Sequence, residues 1–127
     1  MIYNENREKE YKVRFYRNIA DGCSPVLDYV NDLSKKERAK VSKYIIFLCD
    51  HKGILDEPYS RHIKGKIREL RVDLANNRHR IFYFTFVGKT IVLSHAFLKK
   101  TAKTPPVEIK KAEENYKDII NNKELYE

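Results

Sequence analysis

Two apolar runs lying almost end to end constrain this chain more than any other feature: Ile81-Phe82-Tyr83-Phe84-Thr85-Phe86 and Thr90-Ile91-Val92-Leu93. β-Branched and aromatic side chains dominate both, and Gly88-Lys89 supplies a turn between them, so they read as buried strands of a meander. The charge is placed around them. Residues 60–104 carry eleven Lys/Arg against two acids, Glu69 and Asp73, a net of +9, while the other 82 residues sum to −1 and the whole chain to +8. Cations that frame buried strands, instead of trailing along a tail, make a rigid surface suited to a polyanion.

At 127 residues, 42% hydrophobic and 12% aromatic, the chain fits one ordered domain with a real core, 35% charged residues notwithstanding. Its longest purely apolar run, residues 44–49, falls far short of the roughly 20 residues needed to span a bilayer. The polar start, Met1-Ile2-Tyr3-Asn4-Glu5-Asn6-Arg7, lacks the apolar centre of a signal peptide, so the expected compartment is the cytoplasm. Cys23 and Cys49 match neither a redox motif nor a zinc pair and read as free thiols, and His51, His62, His79 and His95 have no ligand spacing, so no metal is expected. A net charge of +8 suits nucleic acid, an anionic membrane surface or an acidic protein, but the basic amphipathic helix typical of membrane binding is not evident.

Along the chain, residues 1–8 read as a loose arm and Glu10–Tyr16 as a half-buried first strand, broken at Asp21-Gly22. Ser24-Pro25 is an N-cap followed by proline at the first helical position, opening a short helix with Val26, Leu27, Val30 and Leu33 inward. Ser34-Lys35-Lys36-Glu37 is a capping-box pattern; the helix it opens runs to about Lys52, closed by Gly53, with Val41, Tyr44, Ile45 and Leu48 as its apolar stripe. Residues 54–64, with Pro58, read as a connection. Strands follow at 66–72, 79–86 and 90–98, with turns at Asn76-Asn77 and Gly88-Lys89. Thr104 is positioned to cap a last helix beginning at Pro105-Pro106, with Ile109, Ala112, Tyr116 and Ile119 inward, and the tail from Asn121 is expected to fray. The order β-α-α-β-β-β-α describes a single α+β domain with a mostly antiparallel sheet.

That order, with Arg68-Glu69-Leu70-Arg71 on one strand, His79-Arg80-Ile81-Phe82-Tyr83-Phe84 on the next, and a strand ending His95-Ala96-Phe97-Leu98-Lys99-Lys100-Thr101-Ala102-Lys103-Thr104-Pro105, resembles the RelE/HigB-type toxins of bacterial type II toxin–antitoxin systems. It is most similar to their phage-derived HigB branch, over roughly residues 10–120. The resemblance implies an endoribonuclease that enters the ribosomal A site and cuts mRNA by attack of the ribose 2′-hydroxyl on the adjacent phosphate, without metal or cofactor. It also implies neutralisation by a cognate helix-turn-helix (HigA-like) antitoxin, encoded next door, in a heterotetrameric complex. Such chemistry needs a proton acceptor, cations to stabilise added charge on phosphorus, and a proton for the leaving 5′-oxygen.

The resemblance places Arg71 opposite the scissile phosphate, where a guanidinium fork can bind two oxygens; an ion pair with Glu69 or Asp73 is the alternative. Strand pairing brings Arg80 toward the same groove, unless it is a solvated strand-end charge. Lys99 and Lys100 leave their strand on opposite faces, so only one can enter a given pocket. The resemblance implies that this pair replaces a Lys/Arg pair of related toxins, with Lys100 slightly favoured for stabilising the phosphate. His95 is a candidate acid or base, or else a hydrogen-bonded buried histidine; Tyr83 is a candidate substrate contact or a core tyrosine. His79, expected to be exposed, is a further candidate, and the identity of the general base stays open. Lys64, Lys66, Arg68, Arg78 and Lys103 are expected to touch RNA backbone, or to form a generic basic surface, with helix capping as a second role for Lys103 and Thr104. The competing functions are a ParE-like toxin that binds DNA gyrase and cuts nothing, and a simple basic RNA-binding domain.

Overall fold

The two apolar runs become the centre of the sheet. In the computed structural model, which describes residues 10–86 and 89–127, the elements in chain order are β1 (Lys12–Phe15), α1 (Pro25–Asn31), α2 (Lys35–Asp50), β2 (Ser60–Lys64), β3 (Ile67–Leu74), β4 (Asn77–Phe86), β5 (Thr90–Leu98) and α3 (Pro106–Asn121), followed by a 3₁₀ turn, Lys123–Leu125. The five strands are ordered β1-β5-β4-β3-β2, antiparallel throughout except that β1 runs parallel to β5. This is the mostly antiparallel α+β sheet expected from the sequence, with one more strand. The expected arm, residues 1–8, and Gly88 of the expected turn lie outside the described residues.

Strand alternation sends two sets of side chains to opposite faces. One face packs on α1 and α2 through Leu70, Val72, Ile81, Tyr83, Ile91 and Leu93, against Val26, Val30, Val41 and Leu48. The other packs on α3: Ile67, Phe82 and Phe97 against Ala112, and Phe84 and Val92 against Ile119. Along β5 the alternation is reset once. Phe82 pairs with His95 but Tyr83 with Leu93, so Ser94 is an extra residue, a bulge whose hydroxyl donates to the Phe82 carbonyl at 3.1 Å. Before the bulge Val92 faces α3; after it His95 and Phe97 do, and Lys99 follows them.

Several local expectations are corrected. The connection before the meander contains an edge strand, β2, paired with β3 through Ser60↔Leu70 and Arg61↔Glu69. Its exposed positions carry polar residues, so it lacks the apolar signature of a strand. Ser24 precedes α1 as expected but does not cap it by side chain; its hydroxyl donates to the Tyr16 carbonyl and ties the helix entry to the end of β1. Ser34 does accept from the Glu37 amide, at 3.3 Å. The α2 helix ends at Asp50, and Gly53, at φ +82°, returns its amide to the Leu48 carbonyl; a Cβ there would collide with Thr85 Oγ1. The β3–β4 turn is one residue earlier than expected, at Ala75-Asn76, because Asn77 already pairs with Leu74. Pro105 is the cap of α3, while Thr104 turns its hydroxyl to Glu69. The tail is tied down: Tyr126 is buried, and its hydroxyl accepts from the Arg17 amide and donates to the Arg17 carbonyl.

Candidate functional site

On the α3 face, where β3, β4 and the end of β5 run side by side, the sheet buries a carboxylate among cations. Glu69 and Arg71 are on β3, and Arg71 sits directly opposite Arg80 on β4. Two like charges in such a cross-strand pair repel. Glu69, on the same face two residues back, lies between them: its Oε1 is 3.7 Å from Arg71 Nε and 3.9 Å from Arg80 Nε. Its Oε2 accepts a hydrogen bond from Thr104 Oγ1 at 3.3 Å. Glu69 is 0% exposed and Arg80 1%, whereas the Arg71 side chain is 24% exposed. Arg80 is fastened further by a 2.6 Å ion pair to Asp73 and a 3.0 Å bond to the His79 carbonyl.

Lys99 completes the group. The bulge at Ser94 puts it on this face, and its amide donates to the Arg78 carbonyl at 2.8 Å, which extends the β4–β5 ladder beyond the last strand residue. Burial pushes its ammonium pKa below the ordinary lysine value; Glu69 acts against that shift, and Arg80, Arg71 and Arg61 reinforce it. Arg61, exposed on β2 opposite Glu69, forms the outer rim. Four cations therefore surround Glu69 and the outlying Asp73, an excess of two positive charges. Glu69 Oε1, Arg71 Nε and Arg80 Nε are all buried without a hydrogen-bond partner. Such a site can accept an oxyanion at little further desolvation, because its cations are already gathered and partly out of water.

The sequence candidates divide between this site and other places. Arg71, Arg80 and Lys99 meet in it, with Lys99 rather than Lys100 as the inward member of the pair; Lys100 and Lys103 are exposed on the loop that leads to α3. Arg71 takes Glu69 as its ion-pair partner, and Arg80 is a buried anchor, not a solvated strand-end charge. His95 shares the face but lies under α3, bonded to Glu108 at 2.8 Å and stacked on Phe97. Tyr83 and Arg68 are on the opposite face: the Tyr83 hydroxyl donates to the Gly53 carbonyl and meets Ser60, and Arg68 Nε donates to both hydroxyls at 3.3 Å. His79 is corrected from exposed to buried, at 2% exposure, and bonds Tyr29 and Glu37 against α1 and α2. Lys64 is exposed and paired with Glu113 of α3, and Lys66 and Arg78 are exposed near opposite ends of β3 and β4.

The sequence offered Glu69 only as an alternative ion-pair partner of Arg71 and Thr104 only at the start of the last helix, and gave Arg61 no role; the Thr104–Glu69 bond is a product of the fold. The available signal was Glu69 itself, one of two acids in the basic segment, at the alternate position to Arg71. Among the described residues, no group of three or more His, Cys, Asp or Glu could hold a metal ion, and no helix is long and apolar enough to cross a membrane. No curated protein matches the chain. A family model does: the one described as Phage derived protein Gp49-like (DUF891) matches residues 28–117, which include β2–β5, most of α3 and every member of the cation cluster.

Proposed function

The chain belongs to this phage-derived Gp49-like family, and from that membership together with the cation cluster we propose that it is the toxin of a bacterial toxin–antitoxin pair, an endoribonuclease acting on mRNA at the ribosome. The observation that carries the reading is the convergence of Arg71, Arg80 and Lys99 on one buried carboxylate, with Arg61 at the rim. A protein that only docks on a partner has no need of cations whose inner donors are left unpaired.

In the proposed reaction the ribose 2′-oxygen attacks the adjacent phosphorus, a P–O2′ bond forms and the P–O5′ bond breaks. The products are a 2′,3′-cyclic phosphate and a free 5′-hydroxyl; the proton leaves the 2′-hydroxyl and another is delivered to the 5′-oxygen. Charge builds on the two non-bridging oxygens in the transition state, so donors aimed there accelerate the step. Arg71, the partly exposed guanidinium, faces that phosphate; Lys99 supports it, and the buried Arg80 keeps both in place. Exposed Arg61, Lys100 and Lys103 hold the flanking backbone. A helix-turn-helix antitoxin would neutralise the toxin, in a heterotetramer, by covering this surface.

The test is cleavage of a defined mRNA by purified protein, with and without programmed ribosomes, with the cut ends mapped. Ribosome-dependent cuts bearing cyclic phosphate ends are expected, with kcat falling about 10²–10³-fold in Arg71→Ala, as when one oxyanion donor is removed. No cutting under any condition, together with inhibition of gyrase supercoiling, would replace this reading with that of a gyrase-binding toxin.

A further inference from the structure

We propose that Glu69 is an internal counter-anion standing in for the substrate phosphate: it holds the Arg71 guanidinium in the cluster while the site is empty and yields it when RNA arrives. This rests on the nuclease reading only for the identity of the incoming polyanion. Glu69 is fully buried and offers RNA no contact of its own, so it is a positioning residue.

Three features of the geometry support the exchange. First, the carboxylate holds its cations loosely. Charge-assisted N–H···O bonds settle near 2.7–2.9 Å, yet Glu69 Oε1 stands 3.7 and 3.9 Å from the two guanidinium nitrogens, and none of the three atoms is hydrogen-bonded. A tight bidentate pair would resist displacement. Second, the two arginines are held unequally. Arg80 has Asp73 at 2.6 Å and the His79 carbonyl at 3.0 Å, and is almost wholly buried. Arg71 has its contact with Glu69 and an opening to solvent. An incoming phosphate can therefore draw away Arg71 and leave Arg80 where it is. Third, the carboxylate itself is held from the far side by Thr104, on the loop entering α3, so it stays in place when Arg71 turns outward. Without Glu69, the opposed Arg71 and Arg80 would repel and the site would open before substrate reached it.

The consequence is unusual for a charge change remote from solvent: removing this negative charge frees a cation for RNA. The experiment measures binding of a short, fully 2′-O-methylated RNA by fluorescence anisotropy over a salt series, using the full chain. This probe lacks the hydroxyl that would attack, so it stays intact. Glu69→Gln, which keeps an oxygen for Thr104, should bind several-fold tighter than wild type. Its log–log salt dependence should steepen by about 0.7, one further phosphate neutralised on a single strand. In Glu69→Gln/Arg71→Ala the gain should vanish. Binding equal to or weaker than wild type in Glu69→Gln, or a gain that persists without Arg71, overturns the proposal.

A second measurement needs only wild-type protein and covers the case in which Glu69→Gln does not fold. On titration with the same RNA, the Arg71 Nε–H resonance should move while that of Arg80 stays; at saturation, both staying overturns the proposal. Tighter binding by Glu69→Gln alongside a failed cleavage assay would refute the nuclease reading and leave the exchange standing.

Discussion

His79 and Arg80 are consecutive residues of β4, both almost fully buried, and they point to opposite faces of the sheet into clusters built on different terms. His79 is satisfied on both sides: Nδ1 meets the Tyr29 hydroxyl at 2.7 Å and Nε2 meets Glu37 at 2.6 Å. Glu37 also accepts from Asn77 and Ser34, and these bonds, Asn77's first, then Ser34's and His79's, pull its pKa down to about 2. Burial, aided by the Glu37 charge, pushes Tyr29 up to about 12. Arg80 faces the other way, into a cluster where three buried polar atoms are unbonded. A closed network fixes one packing of α1 and α2 on the sheet; an open one keeps donors available for a ligand. The neighbours on β4 thus separate a closed polar cluster from an open one.

The largest effect expected from breaking this comparison is on stability at Arg80. Arg80→Ala leaves Glu69 buried with its counter-charges reduced and should cost about 3–5 kcal/mol, read as a lowered midpoint in urea unfolding. On the closed side the cost should be smaller. His79→Phe keeps the ring volume but strips Tyr29 and Glu37 of a partner, for about 1–3 kcal/mol. Its RNA cleavage and RNA affinity should match wild type under conditions where both are folded. Lost cleavage in a folded His79→Phe would show that the two faces are not separable in function.

A pH measurement sharpens the same contrast. The Glu37 carboxyl is held below its ordinary value of 4.5, so its contribution to stability is fully present above that pH and is lost as pH falls through about 2. Wild type should lose stability across that window, and Glu37→Gln should show a flatter curve there. Equal slopes in the two proteins would mean that the cluster is not closed in solution as it is in the structure.

How much of this was legible follows from what each element advertises. The strands β4 and β5 carry long apolar runs, Ile81–Phe84 and Ile91–Leu93, and α2 and α3 carry clear stripes, so the layers and the order of the meander could be read. The β2 strand is an edge whose residues are polar except for Ile63, and its evidence is its pairing with β3, a long-range fact. Arg71 and Arg80 could be brought together because they flank one short turn, and pairing of the two adjacent strands sets them opposite each other. Lys99 was placed behind Lys100, and His79 was put outside, for one shared reason: facing depends on register. A single bulge at Ser94 decides which strand-end lysine turns inward, and the docking of α1 and α2 decides what covers His79. Glu69 could be read only as a possible ion-pair partner of Arg71, because a carboxylate two residues from an arginine in sequence looks like one half of a surface pair; its complete burial is a property of the folded layers.

The smallest effect, and the one that bears most directly on the open cluster, is expected at Lys99. Its pKa is depressed chiefly because burial penalises the ammonium, with the arginine charges adding to the cost and Glu69 offsetting part of it. A lysine whose folded-state pKa lies below its ordinary 10.5 destabilises the fold at neutral pH, and the penalty fades as pH rises through the folded value toward 10.5. Lys99→Met fills the same space without the charge, so it should melt about 2 °C higher than wild type at pH 7. The two melting points should converge as the pH approaches 10.5, and the variant should bind the 2′-O-methylated RNA more weakly throughout. Stability gained together with affinity lost is what a charge kept for a ligand would give. A variant that melts lower than wild type at pH 7 would instead make Lys99 a structural partner of Glu69, and would move the lysine to the closed side of the comparison.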